Sequence, residues 1–240
     1  MLTTEKFNLE NISFEADGLK LKGVLHSPDD KRSPVVIGSH GLYSNSSSPK
    51  QIALAEHCNR SGIAYFRFDH RGCGSSEGEF DLVTSLEARC QDLMAAVETL
   101  NKRIDTRGCL GLFGSSMGGT VCLGAASRVA ADAVVTFAAP IRSNLTGNQS
   151  EMSGADIFFD AVKRKFDITE GLSKISNILI FHGEADDVVP VSHAREIYQL
   201  ARNPKKIIIQ KQGDHPMSNK KHQKEFVREA SSWFKQGLKI

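Results

Sequence analysis

Strand-like and helix-like segments alternate along this chain through short loops, which predicts an α/β fold: a mostly parallel, twisted sheet with helices on both faces. Two observations carry that reading. Apolar runs such as Pro34-Val35-Val36-Ile37-Gly38 and Ala133-Val134-Val135-Thr136-Phe137-Ala138-Ala139 lack the apolar–polar alternation of a half-solvated strand, as a strand covered on both faces does. The segments between such runs place apolar residues at helical spacing. A length of 240 residues suits one large domain with a full core, so a single domain over 1–240 is expected, without internal repeat, linker or low-complexity tract.

Taken in order, Lys6–Ala16 alternates through Phe7, Leu9, Ile12 and Phe14, and Leu19–Ser27 does so through Leu21 and Leu25, with Val24 off the alternation. Asp17-Gly18 between them is a favoured turn pair and predicts a hairpin. The Pro34–Gly38 strand ends at His40-Gly41-Leu42 and a polar loop, Tyr43–Pro49. A helix follows over Ile52, Leu54, Ala55 and Cys58, then a strand at Ile63–Phe68 that runs into Asp69-His70-Arg71-Gly72. Leu82, Leu86, Leu93, Met94, Val97 and Leu100 fall on one face and predict one amphipathic helix over Leu82–Leu100. Ile141–Leu172 interrupts the rhythm as a short insertion carrying an amphipathic patch, Ile157, Phe158, Phe159, Val162 and Phe166. Strands return at Ile178–Phe181 and Ile207–Ile209 around a helix near Val191–Ala201, and a last helix carries Phe226, Ala230, Trp233 and Phe234.

Composition narrows the function classes. A net charge of +2 with 24% charged residues, the basic ones spread along the chain, offers no footprint for nucleic acid or an anionic membrane. Lys220, Lys221 and Lys224 read as the wet face of the last helix. No apolar run has the length of a membrane span, and the first residues lack the apolar core of a signal peptide. The five cysteines (58, 73, 90, 109 and 122) include no C-x-x-C pair, which suits a reducing cytoplasm better than a disulfide scaffold or zinc site. No Walker lysine, H-E-x-x-H or His/Cys cluster is present, and Gly72-x-Gly74-x-x-x-Gly78 misses the dinucleotide fingerprint by one position. No cofactor and no metal are expected; oligomeric state is left open.

The chemistry points to Cys109-Leu110-Gly111-Leu112-Phe113-Gly114-Ser115-Ser116-Met117-Gly118-Gly119-Thr120, an apolar strand joined to a Gly- and Ala-rich helix. Gly114-x-Ser116-x-Gly118 fits a nucleophile elbow, in which a sharp strand-to-helix turn lifts a serine hydroxyl clear of the chain. The turn brings the residues two before and two after the serine together, so both must be small. A plain Gly/Ser loop would carry the same letters, so partners for the serine are required. A hydroxyl needs a base to take its proton, and the base needs an acid to hold its tautomer. An elbow expects the order Ser, acid, His, and three of the eight histidines, His193, His215 and His222, meet it. Of these, His215 in Gln212-Gly213-Asp214-His215-Pro216 lies in the loop after a strand, where a rigid sheet end holds catalytic groups. Asp186 and Asp187 both follow the Ile178–Phe181 strand and either satisfies the order. The oxyanion is expected on the N–H groups of Met117 and of Leu42, with Gly41 allowing close backbone approach and His40 as an orienting side chain.

With these motifs in sequence, His40-Gly41-Leu42, Phe68-Asp69-His70-Arg71-Gly72-x-Gly74-x-Ser76-x-Gly78, Gly114-Ser115-Ser116-Met117-Gly118-Gly119, His182-Gly183-x-x-Asp186-x-x-Val189-Pro190 and Gly213-Asp214-His215, the chain resembles the α/β-hydrolase family over nearly its whole length. It looks most like small bacterial esterases of the feruloyl/cinnamoyl type and related serine-aminopeptidase-like hydrolases. The resemblance implies the α/β-hydrolase fold and selects Asp186 as the acid, four residues after His182. Residues 141–172 then form a minimal cap, shorter than the insertion of those esterases. The expected activity is a carboxylesterase on small acyl esters, with Ser116 as nucleophile, His215 as base and Asp186 as its orienting acid. An aminopeptidase or thioesterase on the same triad, or a non-catalytic ligand-binding protein of this fold, are the alternatives. Phe158 and Phe159 are expected either to line an acyl pocket with Leu42 and Met117 or to pack the insertion onto the domain.

Overall fold

The computed structural model of the chain describes residues 8–28, 32–103, 106–143 and 166–240. Strands β1 (Asn8–Ala16) and β2 (Leu19–Ser27) pair antiparallel along their full length. Asp17 and Gly18 join them at φ of 50° and 78°, the positive pair that a two-residue turn matched to strand twist requires. Strands and helices then alternate: β3 (Ser33–Ser39), α1 (Pro49–Arg60), β4 (Ala64–Asp69), α2 (Phe80–Val83), α3 (Leu86–Asn101), β5 (Thr106–Ser115), α4 (Met117–Ala125), β6 (Ala133–Phe137), α5 (Thr169–Leu172), β7 (Ile178–Gly183), α6 (Ser192–Leu200), β8 (Lys205–Gln210) and α7 (Lys220–Gly237).

The strands stand in the order β1-β2-β4-β3-β5-β6-β7-β8. Strand β2 meets β4 antiparallel, and every pairing from β4 to β8 is parallel. The continuous apolar runs divide by alternate residues between the two faces. Val35, Ile37, Leu112, Val134, Ile178 and Ile180 join one core with Cys90 and Leu93 of α3, Val121 of α4 and Ile197 of α6. Val36, Phe113, Val135, Leu179 and Phe181 join the other, under Leu54 and Cys58 of α1 and Phe226 and Phe234 of α7. Each run is apolar throughout because helices cover both sides. The parallel order carries the functional consequence: the loops after β3, β5, β7 and β8 all open at one edge of the sheet.

The long amphipathic segment departs from its sequence reading. A helix over Leu82–Leu100 is not formed; α2 ends at Val83, Thr84 is extended, and α3 starts afresh at Leu86. Ser85 causes the break, its Oγ accepting the N–H of Ala88 at 3.1 Å as the N-cap of α3. Leu82, assigned to the buried stripe by spacing, is 74% exposed. The ends of the insertion lie side by side: Arg142 bridges Asp167, Ser143 N–H donates to the Phe166 carbonyl and Ile168 N–H to that of Ile141. Ile157, Phe158, Phe159 and Val162 lie outside the described residues. All five cysteines are free thiols, and no helix among the described residues is long and apolar enough to cross a membrane.

Loss of the α3 cap sets an expected magnitude. Ser85→Ala should lower unfolding free energy by about 1 kcal/mol in denaturant titration, whereas Leu82→Ala should leave it within about 0.5 kcal/mol.

Candidate active site

Strand β5 ends at Ser115 and α4 begins at Met117, so Ser116 alone makes the turn. It does so at φ 54° and ψ −127°, a region that L residues rarely occupy. Ser116 N–H donates to the Phe137 carbonyl of β6 at 2.8 Å, and Gly119 N–H to the Ser116 carbonyl at 2.8 Å. The flanking glycines leave no choice of residue. A Cβ on Gly114 would stand 2.1 Å from the Gly118 carbonyl oxygen, and one on Gly118 would stand 2.1 Å from that of Ser39. The close approach of the β3 loop to the elbow therefore depends on Gly118. Gly41, assigned that task from sequence, has room: a Cβ there would meet Ser116 Cβ at 3.5 Å, an ordinary contact. Ser116 as a whole is 6% exposed.

His215, between β8 and α7, brings Nε2 to 3.2 Å from Ser116 Oγ. Its Nδ1 lies 2.8 Å and 3.0 Å from the two carboxylate oxygens of Asp186. A nitrogen facing only acceptors carries the proton, so Nδ1–H donates to Asp186 and the Nε2 lone pair faces the serine hydroxyl. Asp186 is held in turn: its Oδ1 accepts the N–H of Val188 at 2.9 Å and of Val189 at 2.7 Å, and its Oδ2 lies 3.4 Å from His182 Nε2. Burial alone would raise this carboxyl. Hydrogen bonds from His182 and His215, the charge of His215 and the Val189 N–H outweigh burial and hold it well below the usual carboxylate range. Asp187, the neighbour that spacing alone left in contention, is exposed.

The other histidines have different work. His193 accepts the Ile141 N–H at 3.0 Å and is pushed down to about 4, chiefly by burial and by Arg142. His222 is half buried in α7. His40 accepts the His70 N–H at Nε2 and donates from Nδ1 to the Gly41 carbonyl at 2.7 Å, the orienting role expected of it.

Leu42 and Met117, the expected oxyanion donors, are both buried and pack on each other with Phe80, Leu86 and Phe166 around them. Neither N–H is taken up by another backbone group among the described residues. One residue at this loop escaped the sequence reading. The Arg89 guanidinium, fully buried on α3, donates to three successive carbonyls, those of His40 (3.3 Å), Gly41 (3.4 Å) and Leu42 (3.0 Å). The carbonyls of this loop are thereby turned toward the buried guanidinium. The signal was present: Arg89 lies three residues after Leu86 and four before Leu93, a charge on the inward face of a helix.

A second Ser–His–Asp set lies just behind. Ser39 Oγ is 2.8 Å from His70 Nε2, and His70 Nδ1 is 3.1 Å from Asp92 Oδ2, with all three residues sealed from solvent. Asp92 also accepts from Arg71 N–H and Nε. Burial pushes His70 down to about 4, so the imidazole is neutral and the set acts as a strut beneath His40. The glycine-rich stretch that missed the dinucleotide fingerprint is scaffold too: Asp69 accepts N–H groups from Ser46 and Ser75, and a Cβ at Gly74 would collide with that carboxylate at 2.2 Å.

Above Ser116 and His215 opens a cleft of about 190 Å³ lined also by Leu42, Tyr43, Lys50, Gln51 and Pro216. Phe158 and Phe159, the expected pocket residues, lie outside the described part; Phe166 of the same series reaches Leu42 and Met117.

Comparison with known proteins shows the family. The family described as "Serine aminopeptidase, S33" matches residues 30–165. The chain is 29% identical over 223 residues to the protein YfhR of Escherichia coli (strain K12), covering 88% of this chain and 75% of that one. It is 27% identical over 220 residues to the mouse (Mus musculus) mitochondrial palmitoyl-protein thioesterase ABHD10, covering 79% and 71%. In fold it is similar to Est1E from Butyrivibrio proteoclasticus, solved with ferulic acid bound, at a TM-score of 0.79 and 19% identity over 95% of this chain and all of that one. The chain belongs to the serine aminopeptidase S33 family of α/β hydrolases.

Proposed function

We propose that this hydrolase is a serine carboxylesterase acting on small acyl esters. The observation that carries the reading is the continuous relay from Ser116 Oγ through His215 to Asp186, at 3.2 Å and 2.8 Å, opening into the cleft. His215 Nε2 takes the proton as Ser116 Oγ attacks the carbonyl carbon, and the imidazolium so formed is stabilised by the buried Asp186 carboxylate. The tetrahedral oxyanion is held by the N–H groups of Leu42 and Met117, the latter at the first turn of α4, where helix N–H groups are unpaired. His215 then returns the proton to the leaving alcohol, and water repeats the cycle on the acyl-enzyme.

The esterase and thioesterase relatives support acyl transfer, and the family's aminopeptidase name keeps an amide substrate as the second reading. Lys50 argues against it, because an ammonium in the cleft repels the α-ammonium of a peptide substrate. We take residues 1–240 as a single domain, with 141–172 as a minimal cap. The paired ends of that segment and the contact of Phe166 with Leu42 and Met117 support it. Five free thiols suit a cytoplasmic setting.

Ester hydrolysis across p-nitrophenyl esters of rising chain length tests the assignment. Ser116→Ala should abolish turnover and Ser115→Ala should keep most of it; the reverse would overturn the elbow. Asp186→Asn should cost about 10⁴-fold in kcat, by the wrong-tautomer effect, while Asp187→Asn stays within a few fold. Because the Asp186 carboxyl is held below the usual carboxylate range, protonation of Asp186 itself should leave no limb in the wild-type kcat–pH profile above about pH 5.

Arg89→Met should lower kcat by about 10²-fold or more while KM moves little, since a disordered oxyanion loop acts on the transition state rather than on binding. Equal loss in an Arg89→Met enzyme of kcat and thermal stability, recovered together at low temperature, would reduce Arg89 to a packing role.

A further inference from the structure

We propose that Lys50 forms an anion subsite beside Ser116, so that the preferred esters carry a carboxylate group near the scissile bond. The inference rests on the serine-hydrolase reading above and names its substrate class.

Lys50 stands at the second residue of α1, whose first turn holds no acidic side chain. A cation there opposes the helix dipole, which favours negative charge at that end, so the placement does nothing for the helix. Its side chain turns into the cleft shared with Ser116 and His215. There Nζ donates to the Pro216 carbonyl at 2.9 Å and lies 5.1 Å from the centre of the Phe137 ring. No acid pairs with it among the described residues. The two carboxylates close enough to act on its charge are Asp214 and Asp186, and both are committed elsewhere. Asp186 binds His215, and Asp214 accepts the Ser218 N–H at 2.7 Å. Burial pulls the ammonium below the usual lysine range and those two acids pull it back. An ammonium has three N–H donors, and one neutral carbonyl occupies one of them.

Two matched substrate pairs test this. Mono(p-nitrophenyl) glutarate and its methyl ester place the charge on the acyl side. The butyrate esters of meta-hydroxybenzoic acid and of its methyl ester place it on the alcohol side. The ratio of kcat/KM for the anionic to the neutral member should fall about tenfold or more in Lys50→Met in one pair, and that pair identifies the side; loss of one charged hydrogen bond has this size. A ratio within about twofold of wild type in both pairs overturns the subsite, as does a fall shared equally by both members, which marks Lys50 as a strut for the His215 loop. If wild type hydrolyses no ester, the hydrolase reading fails and calorimetry decides the subsite. Mono(p-nitrophenyl) glutarate should bind Ser116→Ala at least about tenfold more tightly than its methyl ester, and the difference should vanish on adding Lys50→Met; equal affinities in Ser116→Ala overturn the proposal.

Discussion

The rest of the site depends on one backbone constraint, the turn at Ser116. A non-glycine residue at φ 54° and ψ −127° costs about 1–3 kcal/mol and persists only where its surroundings enforce it. Here the enforcement is visible. Hydrogen bonds tie Ser116 to β6 before the turn and to Gly119 after it, and Gly114 and Gly118 abut so closely that neither tolerates a methyl group. Gly118 also lets the end of β3 lie against α4, which brings the loop of Leu42 beside the serine. A single turn thus fixes Ser116 and the approach of the β3 loop to it.

Two serine–histidine–aspartate sets within one sheet edge show what separates chemistry from support. Ser39, His70 and Asp92 have the hydrogen-bond pattern of a relay, yet they are sealed, and burial keeps His70 neutral. Ser116, His215 and Asp186 have the same pattern at the wall of a cleft, with the His215 side chain 17% exposed. The sealed set steadies His40, and Arg89 collects the carbonyls of the same loop. The polar groups behind the loop of Leu42 are therefore largely spent within the protein.

The layered fold was legible because a strand covered on both faces is mostly apolar, and β3, β6 and β7 carry such runs. Ser116 was legible from the Gly-x-Ser-x-Gly turn, and His215 from chain order together with its place in the loop after a strand. Asp186 was not: side by side with Asp187, it is distinguished by the N–H groups of Val188 and Val189, which depend on how the loop folds back. The break between α2 and α3 was hidden because Leu82 continues the spacing of the stripe, while the deciding feature is the Ser85 cap. Arg89 and Lys50 were visible as anomalies, a charge on an inward helix face and a cation at a helix N-terminus, whose meaning needed the positions of their partners.

The account stands on Ser116 being the activated hydroxyl. Its most direct test is the intact mass of the native protein after treatment with diisopropyl fluorophosphate, followed by peptide mapping. The account predicts a single phosphoryl adduct on Ser116, lost when His215 is replaced by alanine. An unmodified protein, or an adduct on Ser115 or Ser39 instead, would contradict it.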